Sequence, residues 1–321
     1  MSSPSVHAEP SSTVRPATLN ALFDEYAAYS LRVRSTAPET VAAQRLYLER
    51  AAVSLSVKTA AGLCKAFTPA RLMAAVAGYA SGHTPASRRW LQWTLRSLLR
   101  FCHVRGYVRR DLSEWVPAFR SPRLASIPKA IPEAVITSLL ASVDPQSPHG
   151  RRDAAIIHLL ATYGVRGLQL RQLRLTDLDW AAGRIRFPAC KRGKDIVQAL
   201  TVEAGNRLSD YLRLERPAVA GRLEVFLGAT PPHDPLTGSA GLSAMIHTRL
   251  RQAGLQVPPG VSRGTHGFRH AFACRLCGKV PLKHISDMLG HRDLASVLVY
   301  AKVNFEELAH AALVWPEAVA L

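Results

Sequence analysis

The chain has 321 residues, room at about 150 per domain for two domains that each bury a core. Its 41 lysines and arginines against 23 aspartates and glutamates leave a formal net charge of +18, with 17 basic and 7 acidic residues up to position 125 and 24 and 16 beyond it. The absence of an 18-residue apolar run or a charged, then apolar leader excludes a membrane helix and a secretory signal, so a cytoplasmic protein is expected.

A polyanion such as nucleic acid, touched by both halves, accounts for the spread of positive charge. The competing reading is an Ala/Arg-rich composition with no partner implied. Residues 1–17 are rich in Ser, Pro and Thr without periodicity and read as a disordered leader. Leu19, Leu22, Phe23 and Tyr26 recur at helical spacing and begin a first helix. Thr36-x-x-Glu39 has the form of a capping box and is expected to open a second. A shorter helix is expected after Thr68-Pro69, with Pro in its first turn.

The fourth predicted helix, about 86–104, is the most informative of this half. At 100° per residue Leu91, Leu95, Leu98 and Cys102 fall within about 60° of one another, and Arg89, Arg96 and Arg100 within about 40° on the opposite side. One face belongs to a core. The other presents three guanidiniums, joined by Arg88, Arg105, Arg109 and Arg110 nearby, either to a DNA backbone or simply to solvent.

The run PAFRSPRLASIPKAIP over 117–132 carries four prolines and marks an interdomain linker at 118–131. It separates a helical domain at 18–117 from a second domain at 132–321. In that second domain 133–143 and 151–163 read as helices. Residues 184–188 and 195–202 read as paired strands around a basic turn with Lys191 and Lys194. A helix over 203–215, a short strand at Val225–Leu227 and a helix over 242–254 follow. Further helices carry His266-x-x-Arg269, residues 282–289 and Tyr300. The fold class is therefore mainly α with a small antiparallel β-sheet.

Five cysteines, at 64, 102, 190, 274 and 277, are odd in number and scattered, which suits a reducing compartment. Cys274-x-x-Cys277 invites a zinc reading, but no second pair accompanies it. Phe272 and Leu276 place both in a helical pattern, so they are expected as buried helix residues with no metal.

Residues 266–300 hold the chemistry: His266-x-x-Arg269, then Leu289-Gly290-His291, then Tyr300 nine residues after His291. Two histidines, a guanidinium and a phenol can break a phosphodiester without metal. Arginine's planar fork matches phosphate oxygens and stays charged, histidine donates or relays a proton near neutrality, and a tyrosine hydroxyl can hold phosphorus as a covalent ester. A free phenol has a pKa of about 10, so it needs help to ionise at pH 7. Upstream, Thr162-Tyr-Gly-Val-Arg166 ends an apolar run.

Together these stretches resemble the tyrosine recombinases, whose pattern is Arg after T-G-L, Lys on a β-hairpin, H-x-x-R, L-G-H and Tyr. All six types stand here in order, at Arg166, Lys191, His266, Arg269, His291 and Tyr300. The resemblance covers about residues 18–310, and its specificity lies in six ordered matches rather than in any one. It implies a core-binding (SAM-like) helical domain followed by a catalytic domain. It also implies cytoplasmic, nucleoid-associated work on double-stranded DNA by a homotetramer on two sites, possible accessory DNA-bending proteins, and neither cofactor nor membrane.

By the same resemblance Arg166 and Arg269 clamp the scissile phosphate, and Lys191 protonates the departing 5′ oxygen. Lys194 rivals Lys191 for that role and otherwise contacts DNA with Arg88, Arg89, Arg96 and Arg100. His266 aids proton transfer to the nucleophile, His291 donates to a phosphate oxygen, and Tyr300 attacks to form a 3′-phosphotyrosine. His270 is expected as a packing or supporting residue. Three positions depart from the family pattern: Tyr163 before the glycine, Gln169 where glutamate is frequent, and Val297 where threonine is common. Alternative functions are a type IB topoisomerase and a DNA-binding protein that keeps the fold without recombining. Phe305, Leu308, Ala312 and Leu313 after Tyr300 predict an amphipathic tail helix, docked on its own domain or on a neighbouring protomer.

Overall fold

The computed structural model describes residues 16–119, 129–190, 193–236, 238–291 and 297–301. The chain forms two compact units divided between Pro122 and Arg123. Among the described residues no helix is long and apolar enough to cross a membrane.

The first unit is helical: α1 (Leu19–Arg32), α2 (Pro38–Ser54), α3 (Ala60–Ala66), α4 (Pro69–Ser81) and α5 (Pro85–Val104). Threonine hydroxyls cap four of the five starts, Thr18, Thr59, Thr68 and Thr84 accepting from the N–H groups of Ala21, Gly62, Arg71 and Ser87. The exception corrects the expected capping box. Helix α2 begins at Pro38 with Ala37 before it and no side-chain cap. Proline at the first helical position has its φ preset and no N–H to satisfy, while the Thr36 N–H closes the preceding turn on the Ser30 carbonyl. Helix α3 was not predicted and makes the long basic helix the fifth. Seven residues, AAGLCKA, are too short and too Ala/Gly-rich to show periodicity, yet Ala60, Leu63, Cys64 and Ala66 are buried. As expected, α5 buries Leu91, Leu95, Leu98 and Cys102, and it packs on α2 and α4.

The second unit is built around α7 (Gly150–Tyr163), whose residues from Asp153 to Ala161 are all buried. Helices α9 (Val202–Leu214) and α11 (Thr265–Leu276) pack against it, and α6 (Glu133–Ser142) precedes it. Asp153 bonds both Arg152 and Arg249, the latter at 2.9 Å, and ties α7 to α10 (Ser239–Gln252). A three-stranded antiparallel sheet in the order β1 (Leu178–Asp179), β2 (Arg184–Phe187), β3 (Ile196–Ala199) lies beside this core. Its register pairs Ile185 with Gln198 and Phe187 with Ile196, and the apolar members Ile185, Phe187 and Ile196 are buried. The remaining helices are α8 (Gly167–Arg171), α12 (Leu282–Met288) and α13 (Leu298–Ala301).

Two expectations are corrected here. Val225–Leu227 is fully buried but is not a strand. It has only isolated bridges, Glu224 to Arg174 beside the run and Leu227 to Pro235 within it, so the apolar run reports burial and not a strand ladder. Helix α10 starts at Ser239, three residues before the predicted start, because its first three residues, Ser239, Ala240 and Gly241, carry no large apolar side chain to announce it. The tail positions Phe305, Leu308, Ala312 and Leu313 lie outside the described residues.

Candidate active site

The site residues are delivered by turns and helix ends that two glycines make possible. Gly164 ends α7 in the left-handed region at φ 59°, and a Cβ there would lie 2.5 Å from the Phe272 ring. The chain thus turns sharply under α11, and Arg166 sits before α8 in the turn between two helices. This lies beyond the helix expected over 151–163, whose end α7 shares at Tyr163. Gly290, at φ 61°, separates Leu289 from His291; a Cβ there would lie 2.7 Å from Ile196 on β3. The Leu289-Gly290-His291 turn therefore rests on the hairpin.

The departures from the family pattern have work in this geometry. Gln169, 1 % exposed, accepts the Arg166 N–H at 3.0 Å and donates from Nε2 to the Pro188 carbonyl at 3.2 Å. A carboxylate could make the first bond and not the second. The Tyr163 hydroxyl donates to the Ala199 carbonyl at 2.9 Å and accepts from the Thr201 N–H at 3.1 Å, joining α7 to the end of β3. Val297 is buried, where a methyl serves in place of a hydroxyl.

Arg269, 4 % exposed, donates Nη1 to the Gly164 carbonyl at 2.9 Å and Nη2 to the Leu289 carbonyl at 2.8 Å. Nη2 also meets Nε2 of His291 at 2.5 Å. Arg166 reaches the same Leu289 carbonyl at 3.5 Å and the Cys190 thiol at 3.8 Å. Arg166 and Arg269 are thereby gathered on one backbone oxygen, with His291 against Arg269. Among the described residues no carboxylate pairs with either guanidinium. Burial, and then the charge of Arg166, lowers the Arg269 pKa to about 10, which leaves it charged at pH 7. Burial and the two arginines push His291 down to about 4, so its imidazole is neutral. Its Nδ1 is buried without a partner among the described residues.

Tyr300, 3 % exposed, joins this group from α13. Burial pushes its hydroxyl up to about 12 against the lowering effect of Arg269. The hydroxyl is 2.7 Å from Nδ1 of His270, a direct contact that the sequence reading missed. The R-H pair was visible; the meeting of its histidine with a residue 30 positions away was not. His266 lies exposed in the first turn of α11, and its charge acts on His270. Lys191 lies outside the described residues, and Lys194 is exposed on the hairpin.

The cysteine expectation is corrected in part. Cys274 and Cys277 are half-buried, and Cys277 caps the end of α11, its thiol bonded to the Tyr300 carbonyl at 3.1 Å. Burial raises the Cys274 thiol to about 11. Among the described residues no group of three or more His, Cys, Asp or Glu side chains is arranged to hold a metal ion.

The basic face of α5 is less uniform than its spacing predicted. Arg89 and Arg100 are exposed, but Arg96 is half-buried and donates to the Val116 carbonyl at 2.8 Å. Arg100 Nε bonds Ser113 at 3.2 Å, and Arg88 Nε bonds the His83 carbonyl at 2.8 Å. Trp93, 42 % exposed, lines an open groove of about 600 Å³ with Arg89, Trp90 and Arg96. The helical wheel could have found it, since it falls about 20° from Arg100.

Mainly helical with one small antiparallel sheet, the chain has the fold of tyrosine recombinases. Among solved structures the chain resembles a lambda integrase dimer bound to a COC′ core site, with TM-score 0.66 and 16% identity over 95% of this chain and 81% of that one. It also resembles XerH recombinase bound to palindromic difH, with TM-score 0.63 and 20% identity over 79% and 74%. Residues 129–307 match the model of the phage integrase family, and the chain belongs to that family. A putative integrase/recombinase of Sinorhizobium fredii, y4rA, is 38% identical over 69% of this chain and 53% of its own length. Tyrosine recombinase XerD of Ralstonia nicotianae is 30% identical over 69% of this chain and 68% of its own. The chain spans about half the length of y4rA and of a second such relative, y4rF.

Proposed function

We propose that the protein is a site-specific DNA recombinase that cuts and rejoins strands through Tyr300. The observation that carries this reading is the convergence of Arg166 and Arg269, with neutral His291, on a site that holds two positive charges and, among the described residues, no carboxylate paired with either. Like charges held this close out of water repel, and an anion between them relieves the repulsion and accepts from both guanidiniums. A phosphodiester is the anion that a nearby phenol could attack. The arginines then hold the non-bridging oxygens, with greatest effect on the pentacoordinate transition state, where negative charge grows. Tyr300 forms a 3′-phosphotyrosine, and Lys191 protonates the 5′ oxygen as it leaves. A 5′-hydroxyl from a partner strand attacks the ester, so the bond is exchanged without ATP or metal.

The net charge of +18 supports double-stranded DNA as the substrate, bound by both units. The lambda integrase tetramer bound to a Holliday junction, whose fold this chain shares at TM-score 0.66, supports a tetramer on two sites.

A suicide-substrate assay on DNA flanking the gene tests the reading. The native chain should form an SDS-stable protein–DNA species, and Tyr300→Phe should bind DNA equally and form none. An adduct with Tyr300→Phe would remove Tyr300 from the role. Exchange of strands between two duplexes, read by junction resolution, separates a recombinase from a topoisomerase that reseals its own strand.

A further inference from the structure

Helix α11 holds two different groups on successive residues. Arg269 turns inward to the carbonyls of Gly164 and Leu289, and His270, one residue and about 100° further round, turns to α13. Its Nδ1 stands 2.7 Å from the Tyr300 hydroxyl, with ring centroids 5.6 Å apart and planes inclined by 55°. The far end of the same helix grips the same tyrosine, since the Cys277 thiol bonds the Tyr300 carbonyl at 3.1 Å. Tyr300 is therefore held at hydroxyl and backbone by one rigid element that also carries Arg269.

We propose that His270 takes the phenolic proton from Tyr300 during attack on DNA, an assignment that rests on the strand-transfer reading above. In the forward step the Tyr300 O–H bond breaks and its proton passes to Nδ1 of His270. The freed electron pair forms the new P–O bond, the bond from phosphorus to the 5′ oxygen breaks, and that oxygen takes a proton from the general acid. On rejoining, the 5′-hydroxyl gives its proton to the conjugate base of the general acid as its oxygen attacks phosphorus, the phosphotyrosine bond breaks, and the other proton returns from His270 to the phenol. Atoms and charges balance with a phosphodiester as the sole co-reactant.

The surroundings suit this role. A phenol raised to about 12 supplies little phenolate at pH 7 and needs an acceptor. His270 is lowered below the usual histidine value, by burial first and then by His266 and Arg269, so it is neutral and able to accept. Among the described residues the titratable groups facing it are His266 and Arg269 on its own helix and Tyr300 on α13, and no carboxylate pairs with it. The role earlier expected of His266 thus passes to the histidine that touches the hydroxyl.

Two measurements decide the matter. In the DNA-free native chain, nitrogen NMR of His270 should find Nδ1 unprotonated and its resonance shifted in Tyr300→Phe. A proton on Nδ1 would make the imidazole the donor and overturn the proposal, whatever the protein does to DNA. In single-turnover cleavage, His270→Asn keeps a hydrogen-bond acceptor but no base. It should retain DNA affinity and melting temperature while losing about 10²-fold in rate. The fall in rate on acidification, which reflects loss of neutral His270 in the native chain, should vanish in the variant. Imidazole added to His270→Gly should restore part of the rate. His270→Asn cleaving at the native rate with the native pH profile would overturn the assignment while leaving Tyr300 as nucleophile. An adduct persisting in Tyr300→Phe would instead sink the strand-transfer reading, with the NMR result still deciding who donates the proton.

Discussion

Arg269 brings a full charge into a nearly closed environment whose acceptors are two carbonyls and a neutral imidazole. On the proposed function, such a group is there to receive an anion. Its neighbour Arg166 deepens the need, since each guanidinium opposes the other until negative charge arrives. Removing either donor by Arg166→Ala or Arg269→Ala should slow cleavage by on the order of 10²-fold or more, the scale seen when one transition-state donor is lost. Lys191 is expected to act on the other side of the phosphorus. A 5′-bridging phosphorothiolate, whose thiolate leaves without a proton, should restore cleavage to Lys191→Ala and not to Arg269→Ala. Restoration of Lys194→Ala instead would shift the acid three residues along the hairpin.

Helix α5 is the element whose two faces divide most clearly. Leu91, Leu95, Leu98 and Cys102 are committed to the core of the first unit, and Arg89 is exposed beside Trp93. The arginines are not equivalent, because Arg96 is anchored to the Val116 carbonyl and Arg100 to Ser113. If the face lies on DNA phosphates, Arg89→Ala should weaken binding alike on all sequences and make the slope of log K against log salt shallower by about 0.9. Arg96→Ala should change the slope less and lower the melting temperature, because it removes a half-buried hydrogen bond worth about 1 kcal/mol. Anisotropy titrations over a range of salt measure the first effect and thermal melts the second. An unchanged slope for Arg89→Ala would return this face to solvent.

At the scale of the whole molecule, positive charge is shared by both units, which on the proposed function would let two modules meet one DNA site. Pairing of two sites then needs contacts between protomers. After Tyr300 the sequence repeats Phe305, Leu308, Ala312 and Leu313 at helical spacing, and a helix there would carry an apolar stripe to be covered. A chain ending at Asn304 is expected to bind one site as a folded monomer, to fail to pair sites in a gel-shift assay, and to cleave poorly. Loss of its melting transition would show the stripe packing within its own unit.

The sequence by itself determined the residue types, their order and the local periodicities. Six matches spread from Arg166 to Tyr300, the alternation of β2 and β3, and the split faces of α5 depend on neighbours close in the chain. Those patterns survive folding because apolar spacing and capping are local physics. Only the tertiary structure decided which groups meet. Burial of Val225–Leu227 without a strand, the carbonyls of Gly164 and Leu289 that hold Arg269, and the anchoring of Arg96 all arise from elements distant in sequence. The bond from Gln169 to Pro188 explains a departure that looked arbitrary in the one-dimensional pattern. The pairing of His270 with Tyr300 is the clearest case. Each stands in a recognisable motif, but their contact across 30 residues depends on how α13 packs against α11, and no periodicity encodes that packing.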